Sequence, residues 1–139
     1  MTSALGPPSD DEALLQRVRT RVMDEISAGS QSVLHTTVRA GMLPWRPVAP
    51  GLERKVLFET ADSMSSLLRL AAGATVPGHA HTLLEECLVL EGTLKIGKDL
   101  LLKAGDFHVG RQGVPHAEAS TDTGAVVFLR EGKRQAETA

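Results

Sequence analysis

The segment Gly73-Ala74-Thr75-Val76-Pro77-Gly78-His79-Ala80-His81-Thr82-Leu83-Leu84-Glu85, running on to Gly92, constrains this chain more than any other. A Pro-Gly step introduces two histidines one residue apart, and a carboxylate follows four residues after the second. In extended backbone, side chains alternate between the two faces of a sheet. His79, His81 and Glu85 are all odd-numbered, so an unbroken strand would put them on one face, and a bulge around Thr82 to Leu84 would keep that parity only by chance. Two imidazoles and a carboxylate converging on one point form a donor set for a divalent cation, with nitrogen and oxygen ligands that suit Fe, Mn, Zn, Ni or Cu. A lone strand histidine is more often structural. Here the setting favours ligation, because Glu85-Glu86 and the apolar run Cys87-Leu88-Val89-Leu90 follow, closed by Glu91-Gly92. Glu86 is the rival carboxylate, and alternation puts it on the other face. By the same parity Cys87 and Val89 point inward, whereas Leu88 and Leu90 need cover from a second sheet, the N-terminal helix or a partner. Cys87 reads as a buried small hydrophobe, with a reactive thiol as the alternative.

Before this segment the pattern changes once. Residues 1–8 are small and Pro-rich, which predicts a disordered N-terminus. Ser9-Asp10-Asp11-Glu12 then reads as a capping box. Leu15, Val18, Val22 and Ile26 follow at helical spacing, widened by Leu14 and Met23, until Gly29 stops the run. This predicts a helix within residues 9–30, packed on a barrel, on another subunit or on a partner. From Ser32 the helical period is lost. Ser32 to Val38, Arg54 to Glu59, Ser65 to Ala71, Thr93 to Leu102 with a turn near Gly97-Lys98-Asp99, Asp106 to Val109 and Gly124 to Glu131 all read as strands. Gly41 to Gly51, with three prolines and the only tryptophan, reads as a loop in which Trp45 caps a core. Arg69 reads as solvent-facing, with an inward carboxylate partner as the alternative. His35 reads as a surface residue, and so does His108, whose parity is opposite to that of Phe107 and Val109, with a pocket position beside the ligands as the alternative. Short strands punctuated by Gly and Pro predict an all-β sandwich or barrel over residues 31–131, and residues 132–139 read as a polar tail.

At 139 residues the chain is one ordinary domain, able to bury about 68–70% of its unfolded surface. With 3% aromatic residues and no Tyr, its core must come from Leu, Val, Ala and Met. A formal charge of −2 provides no basic field for nucleic acid or anionic membrane. A single cysteine excludes an internal disulfide and suits a reducing compartment. The N-terminus shows no basic n-region followed by an apolar one, and no run approaches membrane-spanning length. These features predict a cytoplasmic protein.

Gly73, His79, His81, Glu85 and Gly92 resemble, with every spacing in place, the first signature motif of the cupin superfamily. Gly105, Gly113 and His116 resemble the second, with Arg111 and Ser120 where that motif usually has Pro and Asn. The resemblance implies an all-β cupin (RmlC-like jelly-roll) β-barrel with an N-terminal α-helix. It also implies His116 as the fourth ligand of a three-His, one-Glu set of His79, His81, Glu85 and His116. Trp45-Arg46-Pro47-Val48-Ala49-Pro50-Gly51, Leu68-Arg69-Leu70-Ala71-Ala72-Gly73 and Glu85-Glu86-Cys87-Leu88-Val89-Leu90-Glu91-Gly92 extend it to the ChrR-type cupins over about residues 40–130. That family is named for an anti-sigma factor whose C-terminal cupin binds zinc and responds to oxidative stress. Its separate N-terminal zinc module uses paired cysteines, and residues 1–40 contain none.

Two functions follow from the resemblance. The first is a stress-sensing or transcription-regulatory metal-binding cupin, in which four protein ligands saturate zinc and a sigma factor is the protein partner. The second is a small metal-dependent dioxygenase, in which Fe, Mn or Ni keeps positions open and the apolar barrel takes a β-diketone or enol as small-molecule ligand. No dedicated acid–base pair is legible beside the ligands, so no catalytic residue is assigned. Cupin barrels commonly pair, and the uncovered apolar residues predict a homodimer.

Overall fold

The computed structural model describes residues 9–31, 35–80 and 83–133, and divides into two units, Met1–Leu43 and Pro44–Ala139. The expected disordered N-terminus (1–8), the start of one expected strand (32–34), His81, Thr82 and most of the polar tail (134–139) lie outside the described residues.

In the first unit, helix α1 (Asp10–Ala28) begins where the capping box predicts. The Ser9 amide donates to Glu12 Oε2 at 3.1 Å and the Glu12 amide donates to Ser9 Oγ at 3.2 Å, so each satisfies an amide the first turn would leave unpaired. Asp10, Asp11 and Glu12 also place negative charge at the positive end of the helix dipole. Leu14, Leu15, Val18, Val22 and Met23 are exposed. The helix stops before Gly29, where β1 (Gly29–Gln31) pairs antiparallel with β2 (Thr36–Val38), and a short 3-10 turn (Ala40–Met42) follows. Among the described residues no helix is long and apolar enough to cross a membrane.

The second unit is a curled antiparallel sheet. Its strands are β3 (Arg46–Ala49), β4 (Leu52–Glu59), β5 (Ser63–Leu70), β6 (Thr75–Val76), β7 (His79–Ala80), β8 (Glu85–Ile96), β9 (Leu100–Lys103), β10 (Phe107–Gly110), β11 (Pro115–His116), β12 (Ala119–Ser120) and β13 (Ala125–Gly132). The neighbour order is β3-β4-β5-β13-β8-β12-β6, with β9 and β10 also paired to β8, and β11 paired to β7. The segment read as a Pro-rich loop therefore contains a strand, β3. Its Pro47 lacks an amide donor, which an edge strand tolerates.

Strand β8 organises this unit. Its first half pairs with β13 and β10, and its second half with β9 and β12. The change of partners happens at Gly92, whose φ of +72° favours glycine and where a Cβ would overlap the Gly124 carbonyl oxygen. A bulge opposite Val126/Val127 makes Leu90 the extra residue. As a result Cys87 and Val89 before the bulge, and Leu94 after it, all reach the core, while Leu90 stays exposed. The core is aliphatic, built from Leu52, Leu68, Leu70, Leu94, Leu102, Leu129, Val89, Val127 and alanines, with Cys87 in place of the expected methionines. Burying each Leu or Val contributes about 1.5–3 kcal/mol.

The outer face of β4 and β5 carries Trp45, with Lys55 Nζ 4.6 Å and Arg69 Cζ 4.4 Å from its ring centroid. Arg69 also donates to Glu53 at 2.8 Å. It lies on the outer face, and its carboxylate partner is there with it.

Candidate functional site

The two histidine-bearing segments meet through backbone pairing. Strands β7 and β11 are each two residues long and, among the described residues, pair only with one another, with His116 directly opposite His79. Residues opposite each other on antiparallel strands project to the same face, and the two rings stack with centroids 5.9 Å apart at 30°. Gly78 permits the approach, because a Cβ there would run into the His116 carbonyl oxygen. His79 Nδ1 donates to the Pro77 carbonyl at 3.1 Å. A carbonyl can only accept, so in the neutral ring the lone pair is left on Nε2.

Glu85 opens β8 and reaches the same cavity of about 140 Å³, which also meets Leu68, Leu70 and Val127 at its apolar floor. His79, Glu85 and His116 are thus brought together. His81, the remaining member of the expected set, is outside the described residues. Among the described residues no group of three or more His, Cys, Asp or Glu side chains is arranged to hold a metal ion.

Three further side chains line the same cavity, and of these the sequence offers only His108, as the alternative to a surface position. His108, expected at the surface, is half-buried there, its ring centroid 5.9 Å from that of His116 at 76°. The expectation took the apolar neighbours Phe107 and Val109 as the core face, but both are exposed. Register decides the matter, since β10 pairs with β8 so that His108 is opposite Cys87 and Phe107 opposite Leu88, and Cys87 faces inward. Arg54, two residues after buried Leu52, and Glu131, two after buried Leu129, follow the inner-face alternation of their strands. That parity was the available signal. Glu131 is opposite Glu85 in the ladder, and Arg54 Nη2 is 3.5 Å from Glu131 Oε1.

Burial sets the electrostatics. The Glu85 carboxyl is pushed up to about 7, first by desolvation and then by the negative charge of Glu131, against smaller opposing effects of His79 and Arg54. Desolvation also lowers the pKa of His116, helped by His108 and His79 and opposed by a backbone hydrogen bond at Ala117. The Cys87 thiol is raised to about 11 by burial and by Glu85, so it is a protonated core residue. Near neutral pH the cavity therefore offers neutral imidazole at His116 and a carboxyl that a cation would help to ionise.

A curled antiparallel sheet enclosing an aliphatic core, with histidines gathered at one mouth, is the cupin architecture. A 1.90 Å RmlC-like cupin from Shewanella frigidimarina superposes with a TM-score of 0.66 over 81% of this chain and 99% of that one, at 21% identity. More specifically, the chain belongs to the ChrR Cupin-like domain family, which matches residues 34–135. It is similar to the anti-sigma-E factor ChrR of Cereibacter sphaeroides, with 32% identity over 72 residues covering 52% of this chain and 33% of that protein. The match thus spans about a third of ChrR. It is also similar to the pectin degradation protein KdgF of Dickeya dadantii, with 26% identity over 89 residues covering 61% of this chain and 81% of that protein.

Proposed function

We propose that this protein is a ChrR-like metal-binding cupin with a stress-sensing or transcription-regulatory role, its ion held by His79, His81, Glu85 and His116. One observation carries the reading: strand pairing sets His79 against His116 at a cavity that Glu85 also lines. The donor chemistry fits a divalent cation. Desolvation favours the neutral His116 ring and so its lone pair, and a cation beside the buried Glu85 carboxyl would offset the desolvation that holds its proton on. Zinc bound there would supply a fixed dipositive charge, and four protein donors would close its tetrahedral shell, which suits sensing better than turnover. The protein's own part is orientation: the Pro77 carbonyl fixes the His79 ring, and Gly78 lets the two short strands close. The relationship to an anti-sigma factor makes a sigma factor the partner to test, with the exposed stripe of α1 as its contact. The exposed Phe107 and Leu90 support a homodimer.

Elemental mass spectrometry on protein purified without an affinity tag tests the metal reading. One zinc per chain is expected, lost in His81→Ala and retained in His35→Ala. A sigma factor that co-purifies with the full chain and is lost on deletion of residues 9–28 would support the regulatory role. The cavity with its apolar floor favours a second reading, a small metal-dependent dioxygenase taking a β-diketone or enol. Iron, manganese or nickel in place of zinc, with consumption of oxygen on adding such a substrate, would select it.

A further inference from the structure

Arg54 is a cation on the inner face of a mostly aliphatic barrel. Its side chain keeps 28% of its surface exposed, and a cation this far withdrawn from water is normally held by close, complete pairing, because partial desolvation of an unpaired charge is costly. Arg54 is not held in that way. Its ion pair with Glu131 is 3.5 Å long, beyond the 2.7–2.9 Å or so of a strong charge-assisted bond. Its Nε is buried and makes no hydrogen bond among the described residues. Nε and Nη2 are the adjacent donors of the guanidinium fork that grip the two oxygens of a carboxylate side-on. One is unused and the other loosely engaged, and both belong to a side chain lining the cavity shared with His79, Glu85 and His116.

We infer that Arg54 makes this cavity a receptor for a small organic carboxylate. The carboxylate takes Nε and Nη2 and displaces Glu131 from Nη2, while the rest of the ligand lies over the apolar floor towards the imidazoles. A cavity of about 140 Å³ restricts the ligand to a few carbons. The inference deepens the metal reading by naming a ligand class, and it can be tested apart from it.

The test is titration calorimetry of the full chain, metal-free and zinc-loaded, with malonate as probe and malonamide as its uncharged counterpart. Malonate is expected to bind, with malonamide at least about tenfold weaker. Arg54→Met is expected to weaken malonate by at least about tenfold while zinc content stays that of the wild type. Arg54→Lys keeps the charge but loses the fork, so it should also bind more weakly, and it serves if the Met variant does not fold. Glu131→Gln should tighten malonate by removing its competitor. No malonate binding to the wild type, equal binding of malonate and malonamide, or undiminished binding by the Arg54 variants overturns the inference. Arg54-dependent malonate binding by a chain that takes up no zinc would sink the metal reading and leave this one standing.

Discussion

The two walls of the cavity are built in different ways. On one, His79 and His116 sit on strands joined to each other by two residue pairs. On the other, Glu85 and Glu131 face each other at the end of a ladder of seven pairs, with Arg54 nearby on the strand beyond β5. The imidazole wall is short, with His79 exposed, and depends on local features such as Gly78. The carboxylate wall is half-buried and fixed by the long register of β8 against β13. The contrast suggests a division of labour, in which the imidazoles supply lone pairs while the ladder imposes a costly buried carboxyl that a cation would relieve.

The largest expected effect falls on the imidazole wall. His116→Ala should lower zinc affinity by at least about a hundredfold, measured by competition with a chelating dye. Near-wild-type affinity would mean the walls do not act together. Glu85→Gln should also abolish stoichiometric zinc, but with a second consequence that His116→Ala lacks. In the metal-free wild type the folded state holds the Glu85 proton up to about pH 7, whereas the unfolded chain releases it near the ordinary value of 4.5. Folded protein therefore binds more protons across that window, and stability falls as pH rises through it. The glutamine variant escapes this loss, so it should melt above the wild type at pH 8 and level with it near pH 4. The depressed His116 pKa acts in the opposite sense and is common to both proteins.

A smaller effect is expected from His108→Ala, which removes an imidazole beside His116 that is not among the proposed ligands. Stoichiometric zinc should remain, with affinity reduced by about tenfold. Complete loss would promote His108 to a ligand and displace one of the proposed four. Smallest is Glu131→Gln. With that negative charge gone, Glu85 ionises more readily, so the pH midpoint of zinc uptake should move downward while the stoichiometry holds.

Much of the fold was legible because it is written locally. The capping box placed the start of α1, Gly29 its end, and alternation put Cys87 and Val89 inside. The parity of His79 and Glu85 put those two on one face, while His116 was joined to them only by the resemblance to the cupin motifs, because the pairing of β7 with β11 is not visible in the sequence. The other half of the cavity was not. For His108 the surface position was preferred to the pocket alternative because the exposed Phe107 and Val109 imitate a core face, and only pairing with β8 reveals which side is inward. Arg54 and Glu131 are 77 residues apart and meet only through β4, β5 and β13, a non-local contact that no window of sequence contains. Strand β3 was hidden by its proline, which an edge strand accepts.

Anomalous diffraction at the zinc edge, on crystals of zinc-loaded protein, tests the central claim most directly. One peak per chain is expected, bounded by His79, His81, Glu85 and His116. A peak elsewhere, or a cavity with no anomalous signal in stoichiometrically loaded protein, would contradict it.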